Sequence, residues 1–184
     1  MSVAKAYAEA AARAGDDVLL RDLYRMNFAP CLSAGEVPGA GFAPGPDVVS
    51  ERQLLADVNV FAFVYPLWMN AQPAMMKGYI DRVFGMGFAY TPGRGGTEPL
   101  LKGRKMISIT SSGAPTGWVV GTGAWDAIHK LFDEHFAAVC GLEFIDHIHF
   151  GGITPGIRTD AVDTHLAKVG EAVAKLAQSK GRVP

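Results

Sequence analysis

Val60–Val64 (VFAFV) is a short, continuously apolar run bounded by Pro66. No other stretch constrains the fold as strongly. Apolar residues at every position describe a parallel strand buried on both faces, where a half-exposed strand would alternate. Pro73 follows at a place suited to a first helical turn. Met75, Met76, Tyr79, Ile80, Val83 and Phe84 then recur on one face, which predicts a helix over Pro73–Phe84. The strand therefore ends at a bend into a helix. In open parallel sheets such a junction is where ligands lie, because main-chain groups there are unpaired and aim outward.

The rest of the chain repeats this alternation. Lys5–Arg13 is Ala-rich and stopped by Gly15, which predicts a helix, and Asp17–Asp22 (DVLLRD) predicts a short strand. Gly35–Pro46 holds four glycines and three prolines in twelve residues, too many for regular structure, and suits a mobile lid or a partner-facing segment. Ser50–Ala56 predicts a short helix. Beyond the Gly-rich TPGRGGTEP, Met106–Thr110 predicts a strand, Ala124–Val139 a helix ended by Gly141, Leu142–Phe150 a strand and Asp160–Gln178 the last helix. Strands alternating with helices imply an α/β domain with a parallel sheet covered on both faces.

Composition narrows the function. At 184 residues with 49% hydrophobic and 19% charged content, one domain over residues 1–184 with its own core is expected. Seventeen basic against eighteen acidic residues, without a basic run, speak against nucleic acid as a partner. No apolar segment approaches the ~20 residues of a membrane span. Cys31 and Cys140 form no CxxC, and the N-terminus shows no basic-then-apolar leader, so a cytoplasmic protein with reduced thiols is expected. His147 and His149 share one face of a strand, as two metal ligands would, but no third ligand is spaced near them, so strand-end hydrogen bonding is the expectation and no metal is expected.

The block YPLWMNAQPAMMKGYIDRVFGMGFAY, with LLKGRKMISITSSGAP after it, resembles the flavodoxin-like NAD(P)H:quinone oxidoreductases, a family that includes the potassium-efflux ancillary flavoproteins and modulators of drug activity. The likeness runs over essentially the whole chain. It implies a flavin, FAD or FMN, at the C-terminal ends of the strands, hydride transfer from NAD(P)H to that flavin, and two-electron reduction of a quinone-like acceptor. The residues suit that chemistry. A flavin ring needs an apolar slot and a few main-chain partners. Pro66, Leu67, Trp68, Met69 and Asn70 offer a set turn, apolar bulk and exposed amides, although Pro-Leu-Trp would serve equally as a strand-end cap. By the resemblance, Thr110, Ser111, Ser112 and Gly113 grip the pyrimidine edge of the ring; a hydroxyl-rich turn without a ligand is the plainer alternative. Gly78, in mid-helix, marks a close approach, more simply helix on sheet than ligand, and Lys77 with Asp81 suits a surface ion pair.

Departures from the family pattern matter as much. A tyrosine and a histidine that move protons in the mammalian-type enzymes fall here on Trp118 and Ala124, so the resemblance implies that this relay is absent. Trp118 then becomes a candidate for stacking on the acceptor or for a dimer contact. Tyr90 matches a tyrosine that reaches the partner subunit's pocket and is a candidate substrate wall, with a core role as the alternative. Apolar bulk at Phe84, Met86, Phe88 and Tyr90 predicts a homodimer. The family's first strand and phosphate loop have no counterpart ahead of the first helix, and only Ser2 remains to meet a flavin phosphate. An upstream start, a strand supplied by another chain and a sheet closed without that strand are all open, with the first expected. Weak flavin binding by this chain would follow, and a non-catalytic regulatory or scaffolding dimer is the alternative function.

Overall fold

In the computed structural model, which describes residues 3–180, three parallel strands form the centre. They are β1 (Val60–Pro66), β4 (Lys105–Ser111) and β5 (Glu143–Phe150), in the order β1-β4-β5. The pairing runs from Val60 opposite Lys105 to Pro66 opposite Ser111, so β1 and β4 end level with one another. Ser108 lies opposite His147 and Thr110 opposite His149. This register later decides the chemistry, because it sets small hydroxyl groups beside imidazoles.

Helices cover both faces. On one, α1 (Val3–Arg13) and α7 (Thr159–Lys180) bury Ile107, Ile109, Phe150, Val169 and Leu176. On the other, α2 (Pro46–Leu54), α3 (Ala74–Val83) and the helical stretch 124–140 bury Phe61, Phe63, Tyr65, Met106, Val83 and Phe132. Phe63 meets Phe84, Phe132 and Phe136 with centroids 5.3–5.8 Å apart, tilted or edge-on, the arrangement aromatic quadrupoles favour. The strand read as buried on both faces is buried on one: Phe61, Phe63 and Tyr65 are buried while Val60, Ala62 and Val64 are half-covered. β1 is an edge of the three-stranded sheet, so its second face is only partly roofed.

The expected strand Asp17–Asp22 is extended but joins no ladder. A ladder needs a neighbour; Leu19 and Leu20 stay exposed, and the segment is tied instead by Arg21, whose guanidinium donates to both oxygens of Glu51 at 2.8 and 2.6 Å. The Gly-rich TPGRGGTEP, for which no element was expected, forms a hairpin of β2 (Tyr90–Gly93) and β3 (Gly96–Pro99), turning at Gly95 with φ +86°. A short helix, α4 (Thr116–Gly121), also escaped the reading. The helix expected over Ala124–Val139 comprises α5 (Ala124–Ile128), a π-helical stretch His129–Phe136 and α6 (Ala137–Cys140), ended by Gly141 at φ +79°.

Gly35–Pro46 is less free than its composition implied. Ala34–Glu36 forms a 3₁₀ turn, and the buried Glu36 receives Arg82 Nε at 2.9 Å and the Ser33 N–H at 2.8 Å. Arg82 also donates to Asp47 at 2.7 and 2.9 Å and to the carbonyl of Ala29 at 2.6 Å. One buried guanidinium thus staples both ends of the loop to α3. The C-terminus of α3 is capped by Arg52, which donates to the carbonyls of Val83, Arg82 and Met86 at 2.9–3.1 Å.

Candidate functional site at the strand ends

The ends of β1 and β4 are joined into one surface. The N–H of Leu67 donates to Ser111 O at 2.7 Å, so the loop 66–70 continues the register of the strands into the loop 110–113. The second loop is tied in turn to β5: Ser112 N–H donates to Phe150 O, and Ile153 N–H to Ser112 O, both at 2.9 Å. Gly151 permits this junction, since a Cβ there would sit 2.3 Å from Thr116 N.

Within the first loop, Trp68 and Ala71 exchange both main-chain hydrogen bonds at 3.0 Å around Met69 and Asn70, which have φ of +50° and +56°. Left-handed conformation at both central residues is the geometry of a type I′ turn, tolerated by Asn and costly for Met. The turn lifts Trp68 and Met69 into solvent, 69% and 98% exposed. Leu67, expected beside them, turns instead onto the core formed by the aromatic face of the sheet. Pro66 and Ser111 share a cavity of about 220 Å³ with Thr110, Val64 and the first residues of α1, Val3 and Ala4. Ser2, the expected phosphate contact, lies outside the described residues.

Two candidates fall elsewhere. Tyr90 lines a separate cavity of about 210 Å³ with Arg52, Arg82 and Met86. Trp118 stands on α4, half-exposed. Phe84, expected at an interface, is buried in the chain's own core, and Phe88 packs against it. Gly78 does mark a close approach, but by a loop: a Cβ there would lie 2.1 Å from the carbonyl oxygen of Pro30.

Beneath the loop 110–113 lies a polar cluster that the sequence reading left unassembled. His147 and His149 do make hydrogen bonds at the strand ends, as expected, and their partners are side chains. His147 lies between Asp133 and Thr110, and His149 between Thr110 and Ser112. Asp133, on the π-helical stretch, is fully buried and accepts from Ser108 at 2.7 Å. Trp125 stands over both imidazoles, 4.6 and 5.6 Å between centroids. Burial, and then neighbouring His147, hold the pKa of His149 below its ordinary value. The available signal was the alternation of His147 and His149 against Ser108 and Thr110 on adjacent strands; Asp133 offered none, lying on a helix whose local period the sequence does not show.

This site suits a planar ring with one anionic edge. Exposed Trp68 and Met69 flank the strand ends with apolar bulk, Gly113 has no side chain to block approach, and Ser111 and Ser112 lie at the same end, whereas the Thr110 hydroxyl is turned to His147 and His149. Among the described residues no cluster of three or more His, Cys, Asp or Glu is placed to hold a metal ion, and no helix is long and apolar enough to cross a membrane.

Comparison with known proteins bears on the fold and the family. A family model described as flavodoxin-like fold matches residues 1–173. An uncharacterised NAD(P)H oxidoreductase of Haemophilus influenzae is 34% identical over 141 residues, 76% of this chain and 69% of its own. NAD(P)H dehydrogenase [quinone] 1 of Cavia porcellus is 31% identical over 60% of this chain, which spans about half (47%) of that relative's length. Among solved structures, an NAD(P)H:quinone oxidoreductase from Methanothermobacter marburgensis superposes with a TM-score of 0.82 at 27% identity, over 96% of this chain and 92% of that one. With its parallel sheet, two covering layers and strand-end site, the chain belongs to the flavodoxin-like family that includes the NAD(P)H:quinone oxidoreductases.

Proposed function

We propose that the chain is a flavin-dependent NAD(P)H:quinone oxidoreductase. The observation that carries this reading is the fusion of the loops 66–70 and 110–113 through the Leu67–Ser111 hydrogen bond, with Trp68 and Met69 raised beside it. The flavin, when bound, supplies the hydride chemistry, accepting two electrons from NAD(P)H and passing them to a quinone-like acceptor. The chain supplies the place. Main-chain groups of Pro66–Asn70 hold one edge of the ring, and Ser111, Ser112 and the N–H of Gly113 favour negative charge at the other, while Thr110, expected among them, turns its hydroxyl to His147 and His149. Trp68 and Met69 narrow the slot so that nicotinamide and acceptor occupy it in turn, with Trp118 as an outer wall, while Tyr90, which lines its own cavity, serves the slot of the second copy in a dimer. A cytoplasmic location suits two free thiols, Cys31 and Cys140.

The test is direct. Visible absorption by bound oxidised flavin after reconstitution, with NAD(P)H oxidation dependent on added quinone, is the expected result; no flavin bound at saturating FMN or FAD overturns the reading. Trp68→Ala is expected to lower quinone turnover by about tenfold, since aromatic stacking contributes up to about 1.5 kcal/mol beyond area. Its melting temperature should not move, because the side chain is already 69% exposed. Unchanged turnover with flavin fully bound would remove Trp68 from the slot.

The reading includes a two-fold homodimer. Trp118 and Val120 of α4 are each about half exposed, and Trp68 and Met69 extend apolar surface at the strand ends. Light scattering at micromolar concentration is expected to give twice the chain mass, and a monomer would exclude the dimer.

A further inference from the structure

The polar cluster beneath the strand-end loop is a single file of hydrogen bonds. Ser108 Oγ donates to Asp133 Oδ1 at 2.7 Å, and Asp133 Oδ2 lies 2.5 Å from His147 Nδ1. His147 Nε2 is 2.8 Å from Thr110 Oγ1, which is 2.9 Å from His149 Nδ1. His149 Nε2 is 3.0 Å from Ser112 Oγ, and Ser112 Oγ is 2.7 Å from Ala114 O. Each of these six contacts requires one hydrogen. With Asp133 ionised and both imidazoles neutral, three hydroxyls and two rings supply only five. Ser112 then cannot donate to both His149 and Ala114 O. One additional proton completes the file, and each of the six contacts then has its hydrogen.

The charged form places the proton on His147, beside buried Asp133, while burial and His147 itself disfavour charge on His149. In that state His147 donates from both nitrogens, Thr110 donates to His149 Nδ1, His149 donates from Nε2 to Ser112, and Ser112 donates to Ala114 O. In the neutral state His149 carries its hydrogen on Nδ1 and Ser112 turns to donate to Nε2. The two states differ by one proton and by the tautomer of a ring that stays neutral.

We propose that Asp133, His147, Thr110, His149 and Ser112 form a proton carrier that releases and regains one proton at Ser112 Oγ, serving negative charge on a planar heteroaromatic ring held against residues 110–113; the identity of that ring rests on the function proposed above. Release balances without any other reactant than that anionic ring. Ser112 swings its hydrogen away from Ala114 O, gives it to the ring and takes the one on His149 Nε2, His149 Nδ1 takes the hydrogen of Thr110, and Thr110 takes the one on His147 Nε2. His147 goes from imidazolium to imidazole, and each other member ends with as many hydrogens as before. Solvent protons restore the file by the reverse sequence. Asp133, His147, Thr110 and His149 are positioning residues, and Ser112 alone meets the ring. Among the described residues, two further titratable groups border the file: Tyr65 on β1, near enough to Asp133 for its phenol to feel that charge, and Asp146, which accepts the main-chain N–H of His147 at 2.9 Å. Tyr65 stays protonated, since burial pushes its pKa up.

The experiment is ¹⁵N imidazole spectroscopy of the full chain without flavin, titrated from alkaline to acid pH. The expected result is uptake of one proton by His147, with His149 remaining neutral but moving its hydrogen from Nδ1 to Nε2 at the same apparent pKa. A single His149 tautomer across the titration, or independent protonation of the two rings, overturns the proposal. Thr110→Val, nearly isosteric, should abolish the tautomer change, and Thr110→Ser should restore it; a change that survives Thr110→Val also overturns it. Should Thr110→Val fail to fold, Asp133→Asn must lower the proton affinity of His147 by at least about tenfold, and an unchanged affinity is equally fatal. In flavin-loaded protein Thr110→Val should slow quinone turnover about tenfold and remove the alkaline limb of its pH profile, where His147 has lost its proton, with Thr110→Ser near wild type. Because the tautomer measurement needs no flavin, loss of the carrier and failure of the chain to bind flavin are separately visible.

Discussion

Arg82→Met is expected to destabilise the chain by about 3–5 kcal/mol, the cost of leaving a buried carboxylate without its partner. The side chain of Arg82 is 5% exposed and that of Glu36 4%. Methionine matches the length of the stem but cannot serve Glu36, Asp47 or the carbonyl of Ala29, so both ends of the loop 29–47 lose their tie to α3. For a chain of this size the melting temperature should fall on the order of 10 °C. Denaturant unfolding checks the figure, and a loss below about 1 kcal/mol would show that the loop is held by its own packing. The pH dependence provides a second reading. Burial alone would push the Glu36 carboxyl up, yet the hydrogen bonds from Arg82 and from Ser33 hold it down to about 2, against an ordinary 4.5. A depressed folded pKa means stability that is complete above the ordinary value and lost as pH falls from about 4.5 toward 2. In Arg82→Met only the hydrogen bonds from Ser33 still oppose the burial penalty, so acidification into the ordinary carboxylate range should cost the variant less stability than it costs wild type.

Gly78→Ala is expected to cost about 2–3 kcal/mol, opposite in sign to its helix propensity. In the middle of α3, alanine in place of glycine is worth roughly 1 kcal/mol in favour of the helix. The new methyl, however, would stand 2.1 Å from Pro30 O and 2.6 Å from Pro30 C, both main-chain atoms. The loop has to retreat by about an ångström, and overpacking of that kind costs 1–3 kcal/mol or more. It would also draw Ala29 O away from Arg82, joining the second prediction to the first. A rise in the urea midpoint of Gly78→Ala would show that the loop yields freely and that propensity governs this position.

These two residues show where the sequence stops being readable. Gly78 could be read as a close approach, because glycine in mid-helix is unfavourable unless something requires it. That the neighbour is Pro30 of a loop, and not the sheet, depends on how residues 28–47 fold over α3. Arg82 carried no signal at all. Its partners are 35 and 46 residues away, and only burial distinguishes it from any other charged helix residue. Asp133 is alike in this respect, being an ordinary acidic residue on an amphipathic helix until the π-helical stretch turns it inward beneath β4 and β5.

What the sequence determined by itself is the alternation of strands and helices, the position of the bend after β1 and the hydroxyl-rich end of β4. These are written in local periodicity and in turn chemistry, which depend on residues a few positions apart. The tertiary structure decided the pairing. It left Asp17–Asp22 outside any ladder, since an extended segment becomes a strand only when another lies beside it. It sent Leu67 inward while raising Trp68 and Met69, because a type I′ turn reverses the chain within two residues. It set His147 and His149 opposite Ser108 and Thr110, a matter of register between strands that the sequence separates by a helix. Five residues from two strands, a helix and a loop thereby share one line of hydrogen bonds, and no local pattern encodes contacts made at that range.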